Sequence, residues 1–363
     1  MGGDRRGGAS ARRAVAAALA AAALGLAGCA GGAGAGARGE RTLVMGDNFS
    51  LTHPMGRGGT EGFVEGLRAR GGEVGLEVEY YASGQLGKQW DMPTMARTGV
   101  ADIAVVSPSY VASEMPLSSV GDLPGLVADS CQAGYALREL LGEGGVLYEE
   151  EFRPLGLHPL WVGVIPAYEA MAADIEIAVP EDLRGSVQRS TGGAQDRIVE
   201  AIGAAGVAMP IGDLYEALTR GTVEGTVASP VSITPYGLEE VIWHSTKGAN
   251  LGSFTSVYVM NEDTWRGLDE AQRELVGELA DEAQQGVCEE LNRSVDESYA
   301  AMAAAGVEFV DVTPDQAKWE ALLEPTRREW VRDLESIGRP AGRVLEEFTR
   351  ALDRNADRAG VAS

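Results

Sequence analysis

Residues 76–81 read Leu-Glu-Val-Glu-Tyr-Tyr, an alternation of period two that predicts a strand with one covered face. Two apolar runs, over 42–46 and over 103–106, predict short buried strands, the second ending at Ser107-Pro108. Between them, periodic segments predict a Gly-rich helix over 55–70 and, after a turn at Ser83-Gly84, another over 86–98. The same alternation restarts near Leu160, with a strand through Val187-Gln188-Arg189, a turn at Gly192-Gly193, a helix over 194–204 and a strand over 256–260. Strand, helix and strand in repetition predict an α/β sheet with both faces covered. Over 269–305, Leu275, Leu279, Ala283, Val287, Leu291 and Val295 recur every four residues, and Gly306 follows as a stop. A helix of that length, about 50 Å, can cross both halves of a two-lobed protein.

The start of the chain is of another kind. Arg5, Arg6, Arg12 and Arg13 precede an apolar run of 14 residues over 14–27, which ends at Leu26-Ala27-Gly28-Cys29. That run is shorter than the roughly 20 residues needed to span a bilayer, so 1–28 reads as a lipoprotein signal peptide, cleaved before Cys29 with acylation of its thiol. An ordinary secretory signal with a chance cysteine is the alternative. Residues 29–40, almost all Ala and Gly, form a tether with nothing to bury.

Composition narrows the function. In 363 residues, 54 acidic against 30 basic side chains give a formal charge of −24, the wrong sign for nonspecific nucleic-acid binding. Loss of 1–28 removes four Arg and one Asp, leaving 26 − 53 = −27. His53, His158 and His244 are too far apart in sequence to form a local metal pair, and no metal or other cofactor is expected. No nucleophile elbow occurs, and Gly87-Lys88-Gln89 lacks the glycines of a phosphate loop. Cys131 and Cys288 stand in helical patterns; an exported chain permits a disulfide between them, and two buried free thiols are the alternative. One constellation suits an anion. Arg189 ends a strand, Gly192-Gly193 opens a turn that lets a ligand approach backbone, and a helix N-terminus follows.

Eight stretches in order resemble the DctP-type solute receptors of TRAP transporters, secondary transporters driven without ATP. They are Tyr80-Tyr81-Ala82-Ser83-Gly84-Gln85-Leu86-Gly87, residues 101–111 (ADIAVVSPSYV), Asp122-Leu123-Pro124, Val179-Pro180-Glu181-Asp182-Leu183-Arg184-Gly185, residues 192–204, residues 209–230, Tyr258-Val259-Met260-Asn261, and the long helix. The resemblance covers nearly the whole chain after the tether. It implies a two-lobed α/β fold like that of periplasmic binding proteins, with hinge strands and a long connecting helix: 41–160 plus 255–300 as one lobe, 161–254 plus 301–363 as the other. It implies a small organic acid as ligand, TRAP membrane subunits as partners, an extracytoplasmic location and no catalysis. A binding protein of an ATP-driven importer, or an enzyme on the same scaffold, is the runner-up. The family's carboxylate-binding Arg falls on Arg189, and its polar residue before a loop Pro falls on Ser229, where many members carry Asn. A second Arg common in members is missing; Tyr168 stands near its place. Asn48, Gln85, Ser107 and Trp161 are expected at strand or loop ends facing the cleft, with His53 and His244 structural.

Overall fold

The computed structural model describes residues 40–360; the expected signal peptide, Cys29 and nearly all of the expected tether lie outside the described residues. Two sheets organise the chain. The first has the order β2-β1-β3-β10-β4, formed by β1 (Arg41–Gly46), β2 (Leu76–Tyr81), β3 (Ile103–Val106), β4 (Leu157–Ile165) and, much later in sequence, β10 (Phe254–Asn261). Strands β1, β2 and β3 run parallel, and β10 runs antiparallel between β3 and β4. The second sheet, β11-β9-β5-β8-β6-β7, collects β5 (Glu169–Ala172), β6 (Val187–Ser190), β7 (Ala205–Ala208), β8 (Gly225–Ala228), β9 (His244–Lys247) and β11 (Glu308–Asp311). Here β6 is parallel to both β7 and β8, whereas β5 is antiparallel to β8 and β9.

The chain passes between sheets at two short segments, 166–168 after β4 and 248–253 before β10. They are bonded to each other: Tyr168 N donates to Gly252 O at 3.3 Å, and Leu251 N donates to Tyr168 O at 2.8 Å. Both turn through left-handed backbone at non-glycine residues, Ala167 (φ 58°) and Asn250 (φ 48°). The interlobe boundary therefore falls after Ile165, and Trp161 belongs to the first sheet rather than the second lobe, because β4 runs on to pair with β10 as far as Phe254.

Helices cover the sheets: α1 (Glu61–Val74), α2 (Met92–Thr98), α3 (Ser130–Leu141), α4 (Ala194–Ala201), α5 (Leu214–Thr219), α6 (Glu262–Gly267) and α7 (Glu270–Ala305). The expected first helix runs four residues further, to a left-handed Gly75, after a wide turn over Gly56–Thr60. Its glycines answer a packing need. A Cβ on Gly286 of α7 would stand 2.3 Å from Gly58 O, so turn and helix touch backbone to backbone. The helix expected over 86–98 begins only at Met92, with Pro93 in the first turn where its missing N–H costs nothing. The anion-site helix α4 stops at Ala201 rather than 204, where Gly203 takes φ 80°.

In α7, Leu275, Leu279, Ala283, Val287 and Leu291 are buried but Val295 is only partly so. A spacing of four advances about 40° per step beyond a full turn, so the stripe rotates out of contact. Met302, at a different angle, then packs with Ile233, Leu238 and Ile242 of the second lobe. The tail divides between lobes. Strand β11 pairs with β9, and α8 (Gln316–Ser336) packs on α4, but α9 (Ala341–Arg354) lies against α3. Residues 341–354 thus return to the first lobe, contrary to the expected assignment of all of 301–363 to the second. The cause is a stripe of Val344, Phe348, Ala351 and Leu352 that shares a core cluster with Leu137 and Leu140.

Candidate functional site

Parallel strands in both sheets end toward common ground: Asn48 follows β1, Ser107 follows β3, Arg189 lies in the last turn of pairing in β6, and Ser229 follows β8. Crevices outside the carboxyl ends of such strands are where α/β folds bind ligands.

Arg189 is 1% exposed. Its Nε donates to Met209 O at 2.9 Å, and its Nη2 donates to the Tyr110 hydroxyl at 2.8 Å. Tyr110 belongs to the turn Pro108–Val111 after β3, so this bond reaches from one lobe to the other. Two of five guanidinium N–H groups are thereby used. Among the described residues no carboxylate lies within 4.0 Å of Arg189, whereas many other arginines, such as Arg57, Arg138 and Arg197, are paired with one. A buried cation without a counter-charge is costly, and an anion arriving between its free N–H groups removes that cost.

At the strand ends and in the segments that follow them, several buried polar atoms have no partner among the described residues, including Ser229 Oγ, Tyr236 Oη, Thr191 Oγ1, Gln195 Nε2 and Asn48 Oδ1. Asn48 Nδ2 is spent on Gly87 O at 2.9 Å. Tyr168 is 4% exposed, and its hydroxyl lies near Gln195 and Arg189; burial raises its pKa well above the usual tyrosine value. Burial likewise raises Tyr110 and Tyr236, so all three phenols stay neutral hydrogen-bond donors.

Gly192 (φ 95°) and Gly193 (φ 57°) do shape the turn before α4. Their open side, however, faces protein: a Cβ on Gly192 would stand 2.9 Å from Ser109 O, and one on Gly193 would stand 3.2 Å from Ala112 Cβ. The glycines let the first lobe's 108–112 turn approach, rather than leaving backbone bare for a ligand. Ser107 is also engaged, its hydroxyl 2.8 Å from that of Ser256 on β10. Trp161 is a core residue, stacked on Tyr258 with centroids 4.2 Å apart and tilted against Phe63 at 4.7 Å, its indole N–H unpaired. Gln85 is exposed in the turn after β2. Tyr168 thus lies near Arg189, Asn48 and Ser229 stand at strand ends, Ser107 is bonded to Ser256, Trp161 packs in the core and Gln85 is exposed.

His53 spans the lobes: its Nδ1 accepts from Met55 N at 3.1 Å, leaving Nε2–H to donate to Ser232 Oγ at 3.1 Å. Burial first, and Arg57 second, lower its pKa to about 3, so it is neutral. His244 pairs with Glu308 at 3.6 Å, away from this ground. Sequence reasoning singled out neither Tyr110 nor Tyr236. Tyr110 lies inside the 101–111 stretch, but no local pattern marks a phenol that meets an arginine 79 residues on.

Cys131, at the start of α3, and Cys288, midway along α7, are joined by a disulfide with Cα atoms 4.7 Å apart.

Known proteins share this architecture. A TRAP solute-binding protein from Rhodoferax ferrireducens, solved with copurified benzoate, superposes with a TM-score of 0.79 at 17% identity, over 88% of this chain and 99% of that one. One from a Sulfitobacter species with bound β-D-galacturonate gives 0.75 at 19% identity, over 85% and 100%. In sequence, the C4-dicarboxylate-binding periplasmic protein DctP of Rhodobacter capsulatus is 27% identical over 289 residues, 76% of this chain and 82% of the relative. The ectoine-binding periplasmic protein TeaA of Halomonas elongata is 24% identical over 323 residues, 86% and 92%. Residues 45–333 match the profile of DctP, described as bacterial extracellular solute-binding protein, family 7, and the chain belongs to that family.

Proposed function

We propose that the chain is an extracytoplasmic receptor that captures a small organic acid between its two lobes and delivers it to the membrane subunits of a TRAP-type secondary transporter. The observation that carries this reading is Arg189: fully buried, bonded to a carbonyl and a phenol, and with no carboxylate within 4.0 Å among the described residues. A ligand carboxylate set against its free N–H groups gains charge-assisted hydrogen bonds from the second lobe. Because Tyr110 comes from the first lobe, anything that orders the Arg189–Tyr110 pair also favours closure. The two crossing segments and the single passage of α7 are the joints about which such closure turns. Relatives are named for a C4-dicarboxylate and for ectoine, and solved neighbours hold benzoate and a sugar acid; all four ligands are small and carry a carboxylate. At its N-terminus the chain is held to the membrane by lipid on Cys29, with 29–40 as the tether.

The test is calorimetry with an acid found by thermal-shift screening. Arg189→Ala is expected to weaken binding by about 30- to 5,000-fold, the equivalent of about 2–5 kcal/mol for one side of a buried charged pair. Arg189→Lys loses most of it as well, since an ammonium has no two-pronged face. A folded Arg189→Ala protein that binds within threefold of wild type would place the ligand elsewhere.

A further inference from the structure

Arg189 is held from both sides of the crevice, and the two holds differ. Its Nε bond to Met209 O, at 2.9 Å, lies within the second lobe, where β6 pairs with β7 just before Met209. Its Nη2 bond to the Tyr110 hydroxyl, at 2.8 Å, comes from the first lobe. A guanidinium is a rigid plane. One bond at Nε leaves that plane free to swing about the N–H···O line; a second bond at Nη2, to a separate partner, fixes it. The Nη1 end of the fork then has a set direction in which to meet a carboxylate.

Tyr110 in turn stands on the strand that returns from the second lobe. Its turn is fastened to the start of β10 by three neighbouring side chains. Ser107 Oγ lies 2.8 Å from Ser256 Oγ. Ser109 donates to Asp122, whose other oxygen accepts from Thr255 N at 2.7 Å. The Tyr110 ring is met edge-on by Phe254, with centroids 5.5 Å apart at 67°. The crossing segment 248–253 runs directly into these residues, and Ser253 Oγ donates to Gly121 O, next to Asp122. From the opposite lobe the same turn receives bare backbone, since a Cβ on Gly192 would stand 2.9 Å from Ser109 O. The hydroxyl that grips Arg189 thus belongs to a platform continuous with the joint, and it reaches the arginine only while the lobes are together.

We infer that Tyr110 is a positioning residue: its hydroxyl completes the orientation of Arg189 when the lobes close, so that opening them loosens the anchor and times release of the solute. This rests on the assignment of Arg189 as the carboxylate anchor. A solute enters while the lobes are apart, before the Tyr110 bond exists, so the hydroxyl acts on dissociation and not on the encounter. Parting the lobes breaks that bond and frees the guanidinium to swing in one event. A membrane subunit that favours the open form therefore lowers affinity for the solute by the same free energy with which the solute favours the closed form.

The experiment is calorimetry and stopped-flow tryptophan fluorescence on the purified receptor, using the tightest binder among benzoate, succinate, glucuronate and pyroglutamate. Tyr110→Phe removes the hydroxyl and keeps the ring against Phe254. It is expected to weaken that probe by about tenfold, the loss of one hydrogen bond to a charged group, with koff raised by about the same factor and kon within about twofold of wild type. A residue that only fills space would leave both rates unchanged in this variant. Phe254→Leu keeps the hydroxyl but loosens its support; it should raise koff by about threefold, and it decides the matter if the Tyr110 variant is unfolded. A koff within about twofold of wild type in folded Tyr110→Phe overturns the inference, and so does a loss carried by kon. Arg189→Gln separates this claim from the anchor. Binding lost there but unchanged in Tyr110→Phe leaves the anchor standing and removes the role of Tyr110. Wild-type binding in Arg189→Gln, or no binding of any of the four acids at millimolar concentration, removes both.

Discussion

Asp122 accepts a hydrogen bond from Thr255 N at 2.7 Å on the strand that returns from the second lobe, and another from the Ser109 hydroxyl. Ser109 is also the residue that Gly192 packs against, so one buried carboxyl braces both the joint and the interlobe contact. Burial raises its pKa from 3.8 to about 7, against the lowering effect of those bonds. Between these two values the folded chain holds a proton that the unfolded chain has released, so stability falls as pH rises through the window. Below about pH 4 the penalty is absent; above about pH 7 it is complete, up to about 4 kcal/mol for a shift of roughly three units. Asp47 (to about 6) and Glu151 (to about 7) act with the same sign. Asp122→Asn keeps an acceptor for Thr255 N and offers Ser109 a donor without charge. The variant is expected to be more stable than wild type at pH 8 by about 1–4 kcal/mol and nearly equal at pH 4.5. Urea unfolding at the two pH values checks this, and an unchanged pH slope would remove Asp122 from the account.

At the scale of elements, α7 is the spine and its partners decide its register. The turn Gly56–Thr60, α1, β4 and α3 all lie along it, and Gln284 places its amide against β4 by bonding both Val162 N and Val162 O at 2.9 Å. The disulfide from Cys288 to Cys131 closes a separation of 157 residues between α7 and α3. Closing so long a loop lowers the entropy of the unfolded chain by an amount worth about 5 kcal/mol in the chain-entropy account, and measured losses are commonly about 2–5 kcal/mol. Cys131→Ser with Cys288→Ser is expected to unfold at lower urea concentration by that amount. Thiol titration of the unfolded, unreduced receptor begun after Cys29 should find no free thiol; two would contradict the bond. Solute binding should persist in the double variant, since neither cysteine approaches Arg189 through any bond described above.

Across the whole molecule, charge works against the ligand and against the membrane alike. A formal −24 repels organic anions at long range, so the site depends on local positive potential held in a desolvated crevice. The same charge repels anionic lipid headgroups, and a body of this kind gains no retention from its surface. The proposed acylation of Cys29 would then have to hold the protein at the membrane by itself. Cys29→Ser is expected to move the protein from the membrane to the soluble fraction on cell fractionation, with folding and solute binding intact. A variant that stays with the membrane, together with an unacylated wild-type mass, would show that another contact holds it.

What was legible in the sequence was whatever repeats locally. The alternation of 76–81, the buried run 103–106 and the fourfold spacing of α7 each carry their own period, because a strand or helix face is set by neighbours a few residues away. Arg189 was legible for a similar reason: strand end, glycine pair and helix start stand within six residues. Tertiary structure alone decided what faces that arginine. Tyr110, which bonds Arg189, comes from the turn after β3 in the other lobe, and Phe254 meets it edge-on from the start of β10. It also decided that Gly192 meets Ser109 rather than open crevice, that Trp161 packs inside the first sheet, and that α9 returns to the first lobe. A residue's type and spacing record which surfaces must be covered; which distant surface covers them is settled only when whole elements compete to pack.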